Sequence, residues 1–220
     1  MKGLRNGVFV VLAFTMVLAT AGPAHATVQF THSQVNASPW WDPIGDTVQS
    51  SVTGKAPSIS FVVPGVGAVT CWSTFSGYVP ATHTQLKITY IDFYNCTWPG
   101  GTVSFVWTPV NSVTPWVAHL TTFLFPPSAA GTINIPPNSP LSMQLTSAGM
   151  PIDVTVPAQS IRFTWTNNTT SLVINDPTVS FNGTPPVPPM GTKLQIMGMY
   201  TVRPDTVTDT INVTLMSPGV

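Results

Sequence analysis

The feature that most constrains this chain is a two-residue alternation of apolar and polar side chains, repeated along most of its length. In SIRFTWT, Ile161, Phe163 and Trp165 share one face, and Arg162, Thr164 and Thr166 share the other. TVSFVWT aligns Val103, Phe105 and Trp107; PIDVTVP aligns Ile152, Val154 and Val156; TINVTLM aligns Ile211, Val213 and Leu215. Side chains alternate across a β-strand, so each run builds one face to bury and one to wet. A 3.6-residue period is nowhere sustained beyond the N-terminal segment, and 23 prolines interrupt the chain too often for long helices.

Turn-forming clusters separate the runs: VPGVG at 63–67, WPGG at 98–101, FPPSAAG at 125–131, IPPNSP at 135–140 and FNGTPPVPPMG at 181–191. Short strands at such spacing predict an all-β fold. The expected form is an antiparallel β-sandwich of immunoglobulin-like or jelly-roll type. QLKITYIDFY changes phase, from Leu86, Ile88 and Tyr90 to Ile91 and Phe93. This implies either a bulge near Tyr90–Ile91 or a strand buried on both faces.

The first 26 residues read as a signal peptide. Lys2 and Arg5 precede the apolar run VFVVLAFTMVLATAG, and Ala24-His25-Ala26 supplies an A-x-A cleavage pattern. The expected organisation is a signal peptide over 1–26 and a single β domain over 27–220, secreted or associated with the cell envelope. The run is too short for a comfortable membrane span. Charged residues make up only 6% of the chain and glutamate is absent, so Thr, Ser, Asn and Gln must cover the surface. Without Lys2 and Arg5, five Lys/Arg face seven Asp, which gives no basic stripe for nucleic acid.

Cys71 and Cys96 both adjoin strand-like runs. An even count in an exported chain predicts a disulfide, and closing a loop of this length is worth about 3–4 kcal/mol. The rival reading is a nucleophilic cysteine served by His83 or His119. In WPGG, Pro99 suits turn position i+1 and Gly100 the positive φ of i+2. The cysteine strand, this turn and TVSFVW would then form one hairpin.

Candidate chemistry is sparse. No G-x-S-x-G elbow, zinc spacing, phosphate-binding glycine loop or EF-hand loop occurs. Asp42 and Asp46 beside Trp40 and Trp41 form the one cluster of acids and aromatics, and Asp205 with Asp209 is a thin calcium candidate. No cofactor or metal is expected. Asn36, Asn95, Asn167, Asn168, Asn182 and Asn212 head N-x-S/T triplets, which carry sugar only on a eukaryotic secretory route.

PGVGAVTCWSTFSGYV, LKITYIDFYNCTWPGGTVSFVWTP, TPWVAHL and LQIMGMYTVRPDTVTDTINVTL together resemble a group of secreted actinobacterial proteins without a characterised function. The shared elements fall on Cys71, Cys96-Thr97, Gly100-Gly101, Pro115-Trp116 and Tyr200 to Pro204. Many members carry further cysteines in the second half, which this chain lacks. The resemblance implies export, the disulfide and a β fold, and it supplies no catalytic residue.

The functional expectation is a non-enzymatic structural or adhesive protein that contacts wall polymer or another protein. Trp40, Trp41, Trp98 and Trp116 are its candidate binding surface. Two alternatives stand beside it. One is a carrier of a small apolar ligand in a cleft between sheets, lined by Trp, Phe and the methionines of LQIMGMY. The other is a hydrolase using His83 or His119 with an Asp and a Ser.

Overall fold

The structure is a computed structural model, and it describes residues 27–34, 50–80, 85–124, 128–184, 192–204 and 209–216. Within them the strands are β1 (Thr27–Gln34), β2 (Ser50–Val63), β3 (Gly67–Val79), β4 (Gln85–Thr97), β5 (Thr102–Trp107), β6 (Trp116–Phe123) and β7 (Ser128–Ile135). They continue as β8 (Leu141–Ser147), β9 (Met150–Val156), β10 (Gln159–Thr166), β11 (Ser171–Ser180), β12 (Asn182–Gly183), β13 (Lys193–Pro204) and β14 (Asp209–Met216). Among the described residues no helix is long and apolar enough to cross a membrane.

Eight strands close on themselves in the order β10-β11-β13-β2-β3-β4-β6-β7, every pairing antiparallel, with β7 returning to β10. The expected sandwich is therefore corrected to a closed barrel. Alternation looks the same in both architectures, because each has one apolar face. What closes this sheet is its coiling. Register shifts interrupt the ladders at Asp176/Val179, Gly198/Thr201, Ala56/Ile59, Thr70/Trp72, Ser76/Gly77 and Leu120/Thr122. Each bulge adds local twist and bend, which a small barrel needs. Pro57 and Pro177 both lie inside such shifts, where a missing N–H costs no ladder bond.

The apolar rows face inward. Ile161, Phe163 and Trp165 of β10 are buried, as are Ile59, Phe61 and Val63 of β2 and Leu194, Ile196 and Tyr200 of β13. Arg162, Thr164, Thr70, Thr74 and Ser76 sit on the alternate, outward positions. A membrane barrel shows the opposite pattern, apolar outside and polar inside. The phase change in β4 is a bulge: Ser76 pairs with Tyr90 and Gly77 with Ile88, which leaves Thr89 extra. Ile91 and Phe93 thereby return to the interior while Tyr90 turns out to solvent.

Both barrel ends are covered. At the end marked by Trp116, Ile135 and Gln159, three connections extend into a second sheet of order β12-β9-β8-β5. Its Leu141, Met143, Leu145, Ile152, Val154 and Val156 join the same core as the barrel interior. At the other end β1 pairs with β14, Thr27 opposite Met216, and Phe30 sets its ring edge-on to Trp165 at 5.4 Å.

Cys71 and Cys96 are bonded, linking neighbouring strands β3 and β4. Thr70 pairs with Thr97 and Trp72 with Tyr94, so β4 has one residue too many opposite Cys71. Asn95 takes a left-handed φ of 50° within this bulge, and Cys96 comes to face Cys71. The expected hairpin is corrected. The Trp98 carbonyl accepts the Gly101 N–H at 3.3 Å, but β5 then pairs with β8 and not with β4. The positive φ falls on Gly101 (156°), where a Cβ would collide with the Thr146 carbonyl of β8. TVSFVW also departs from strict alternation. A shift between Val103 and Phe105 buries Val106 and exposes Trp107.

Two outcomes follow. Replacing both cysteines by serine should lower unfolding free energy by about 3 kcal/mol, as expected for a closed loop of this length; urea melts of the variant and of the oxidised parent measure it. Gly77→Ala places a Cβ against the Lys87 carbonyl across the β3–β4 bulge. That backbone contact cannot yield like a side chain, so about 1–3 kcal/mol should be lost in the same assay.

Candidate functional site

The barrel axis holds a void of about 30 Å³. Its walls are apolar: Phe75 from β3, Ile88 from β4, Trp116 from β6, Ile161 from β10 and Leu141 from the covering sheet. Inward parity places each of them there. Eight strands form a barrel just wide enough to be filled by side chains or to hold one small ligand, and this interior is nearly filled. The void is thus far smaller than the pockets of about 300–1,000 Å³ that hold drug-sized ligands.

One polar pair lies beside this space. Tyr200 is buried on β13, with its ring 5.1 Å from that of Phe75. Its hydroxyl lies 2.7 Å from Ser73 Oγ, and Ser73 donates onward to the Asp92 carbonyl at 2.8 Å. Since Ser73 commits its proton to that carbonyl, Tyr200 is the donor in the pair, and its own oxygen keeps acceptor capacity. Burial pushes the Tyr200 phenol well above its ordinary range, and the Ser73 hydrogen bond offsets only part of that. Ser73 did not stand out in the sequence, and Tyr200 stood out only within the Tyr200 to Pro204 element and LQIMGMY. Parity held the signal, since Ser73 shares phase with Cys71 and Phe75, and Tyr200 with Leu194 and Ile196.

Of the four candidate tryptophans, the two that the structure describes, Trp98 and Trp116, are buried. Trp98 is 7% exposed and donates its indole N–H to the Val66 carbonyl at 3.0 Å, beneath the Gly65–Gly67 turn. Trp116 is 4% exposed and donates to the Ser139 carbonyl at 2.8 Å, tying β6 to the β7–β8 corner. Each ring has a large apolar body and one donor, which suits a buried position whose donor meets a carbonyl. Trp40 and Trp41 lie outside the described residues, as do Asp42, Asp46, His83 and Asp205. Ala118 of β6 is buried and His119, the next residue, takes the outward position. The methionines of LQIMGMY are not pocket walls. Met197 and Met199 are exposed on the outside of the barrel, and Leu194, Ile196 and Tyr200 point in.

A buried carboxylate, Asp176 on β11, is fully engaged. It accepts the Thr178 hydroxyl at 2.6 Å, the Thr178 N–H at 2.9 Å and the Arg162 N–H at 2.9 Å. Burial alone would raise its pKa. The Thr178 hydroxyl, the two backbone donors and the Arg162 charge outweigh that and hold it below the usual carboxylate range. It is a fastener of the β10–β11 wall at the Pro177 bulge. No group of three or more His, Cys or Asp side chains is positioned to hold a metal among the described residues.

Comparison of the chain with protein-family models, with curated proteins and with solved structures finds no match.

The Tyr200–Ser73 pair sets two expected outcomes. Ser73→Ala leaves the phenol without its acceptor in an apolar interior and should cost about 1–3 kcal/mol in a denaturant melt. The folded state keeps the Tyr200 proton at a pH where an unfolded tyrosine, with a pKa of about 10, gives it up. The unfolded state then binds fewer protons, so stability should fall as pH rises past about 10. Tyr200→Phe should flatten that fall, as read from melting temperature against pH.

Proposed function

We propose that this protein is an exported, non-enzymatic carrier of a small apolar ligand held on the barrel axis. The observation that carries this reading is a closed eight-stranded barrel enclosing an almost wholly apolar void, with Tyr200 as the polar group against it. Small-molecule sites are commonly of this kind, apolar enclosures with few polar groups to orient the ligand. The ligand enters by displacing side chains, because the void alone admits little more than a water. The apolar walls, with the Tyr200 ring among them, favour a small apolar molecule of about indole size or less. The adhesive reading draws less support, since Trp98 and Trp116 are committed to the core.

Native mass spectrometry of the protein purified from culture medium should show a bound small molecule. Titration with indole-sized and short-chain alcohol probes should raise the melting temperature saturably, by the equivalent of about 2.7 kcal/mol at a hundredfold excess over Kd. Ile161→Phe, which fills the void, should keep the fold and lose the shift. No bound mass together with no shift from any probe overturns the proposal.

A further inference from the structure

The outer wall of the barrel carries an apolar belt that the interior site does not use. Trp72 of β3 faces Tyr94 of β4, with ring centroids 6.1 Å apart. Tyr90 lies further along the same face of β4, and Met197 and Met199 lie two strands away on β13. The exposed Pro57, in the β2 bulge, stands between β13 and Trp72. The five large side chains are 37% to 53% exposed. At about 200 Å² each they leave on the order of 450 Å² of apolar surface in water, well within the range where a patch on a monomer marks a contact.

Charge on this belt has a definite geometry. Thr74 of β3 pairs with Lys55 of β2 on one side and with Asp92 of β4 on the other. All three side chains take outward positions at one height, so Lys55 and Asp92 lie about 10 Å apart across two strand spacings. Among the described residues neither has an ion-pair or hydrogen-bond partner for its charged group. Lys87, also outward on β4, lies over the Tyr78 ring instead.

From this arrangement we infer that the belt is the interface of a homodimer, with its two-fold axis running along β3. Rotation about an axis in the plane of contact sets β2 of one copy against β4 of the other at equal height. Lys55 then meets Asp92 of the second copy, and Asp92 meets Lys55, so one register row supplies two reciprocal ion pairs. Trp72 lies near the axis and packs on its own counterpart, while Tyr94 meets the Pro57 bulge. A stable interface covers about 800 Å² per partner and in homodimers is about two-thirds apolar. The belt and its Ser/Thr rim approach that composition. Beyond residue 26, five Lys/Arg face seven Asp, a charge too small to keep two copies apart by long-range repulsion.

Sedimentation of the full secreted protein across the micromolar to millimolar range tests the assignment. A reversible dimer is expected. Lys55→Asp and Asp92→Lys should each weaken it tenfold or more, and the double exchange should restore it. Trp72→Ser should give a monomer with an unchanged melting temperature. A monomer at every concentration overturns the inference, as does a dimer insensitive to the single charge reversals or not rescued by the double one. A monomer retained on polysaccharide through Trp72 would also overturn it, and would assign the belt to carbohydrate.

Discussion

Four residue pairs hold the barrel shut. Gln85 to Ile88 of β4 meet His119 to Trp116 of β6, a seam as short as the one where Phe163 to Thr166 of β10 meet Ile174 to Ser171 of β11. Two seams away, β2 against β3 pairs over almost the full length of both strands. Without the short seam, β4 and β6 would be open edges with unpaired N–H and C=O groups. With it, the inward row has no way out to solvent except at the ends, which the second sheet and Phe30 cover. The buried tyrosine, the void and the disposition of the outer belt all follow from that closure.

The strands themselves were readable from alternation. Ile161, Phe163 and Trp165, and Ile152, Val154 and Val156, are buried as their spacing implies. The Tyr90–Ile91 phase change left a bulge and a strand buried on both faces equally open, and the β3–β4 pairing decides for a bulge at Thr89. Closure was not readable, because it depends on which distant strands pair and on the summed twist of several bulges. Val103-Ser104-Phe105 shows the local limit: a bulge there leaves no mark in composition, yet it turns Trp107 outward. Trp98 and Trp116 show another. An aromatic residue beside a turn looks available for contact, and only the carbonyls of Val66 and Ser139 reveal it as a buried donor. The candidate site was legible only as parity, since a lone serine or tyrosine within an apolar row carries no motif.

The two faces of the barrel solve different problems with the same strands. Ser73 points in to accept the Tyr200 hydrogen bond, while Trp72 and Thr74 beside it point out to the belt. On β13, Tyr200 faces the void and Met197 and Met199 face outward. A single-residue slip in either strand would exchange these roles, so the Pro57 bulge and the Cys71–Cys96 link fix the register of both faces at once.

The pairing of β2 with β13 also governs when the barrel can form. Ile59 meets Gly198 and Phe61 meets Ile196, contacts that join the first barrel strand to the last. A chain emerging from its N-terminus can build the β2–β3–β4 meander and its disulfide, but it cannot close the ring until β13 is available. Such long-range pairing makes folding slow. The unfinished sheet keeps two open edges until then, so late closure leaves the apolar rows of the nascent chain exposed and in need of protection while it waits.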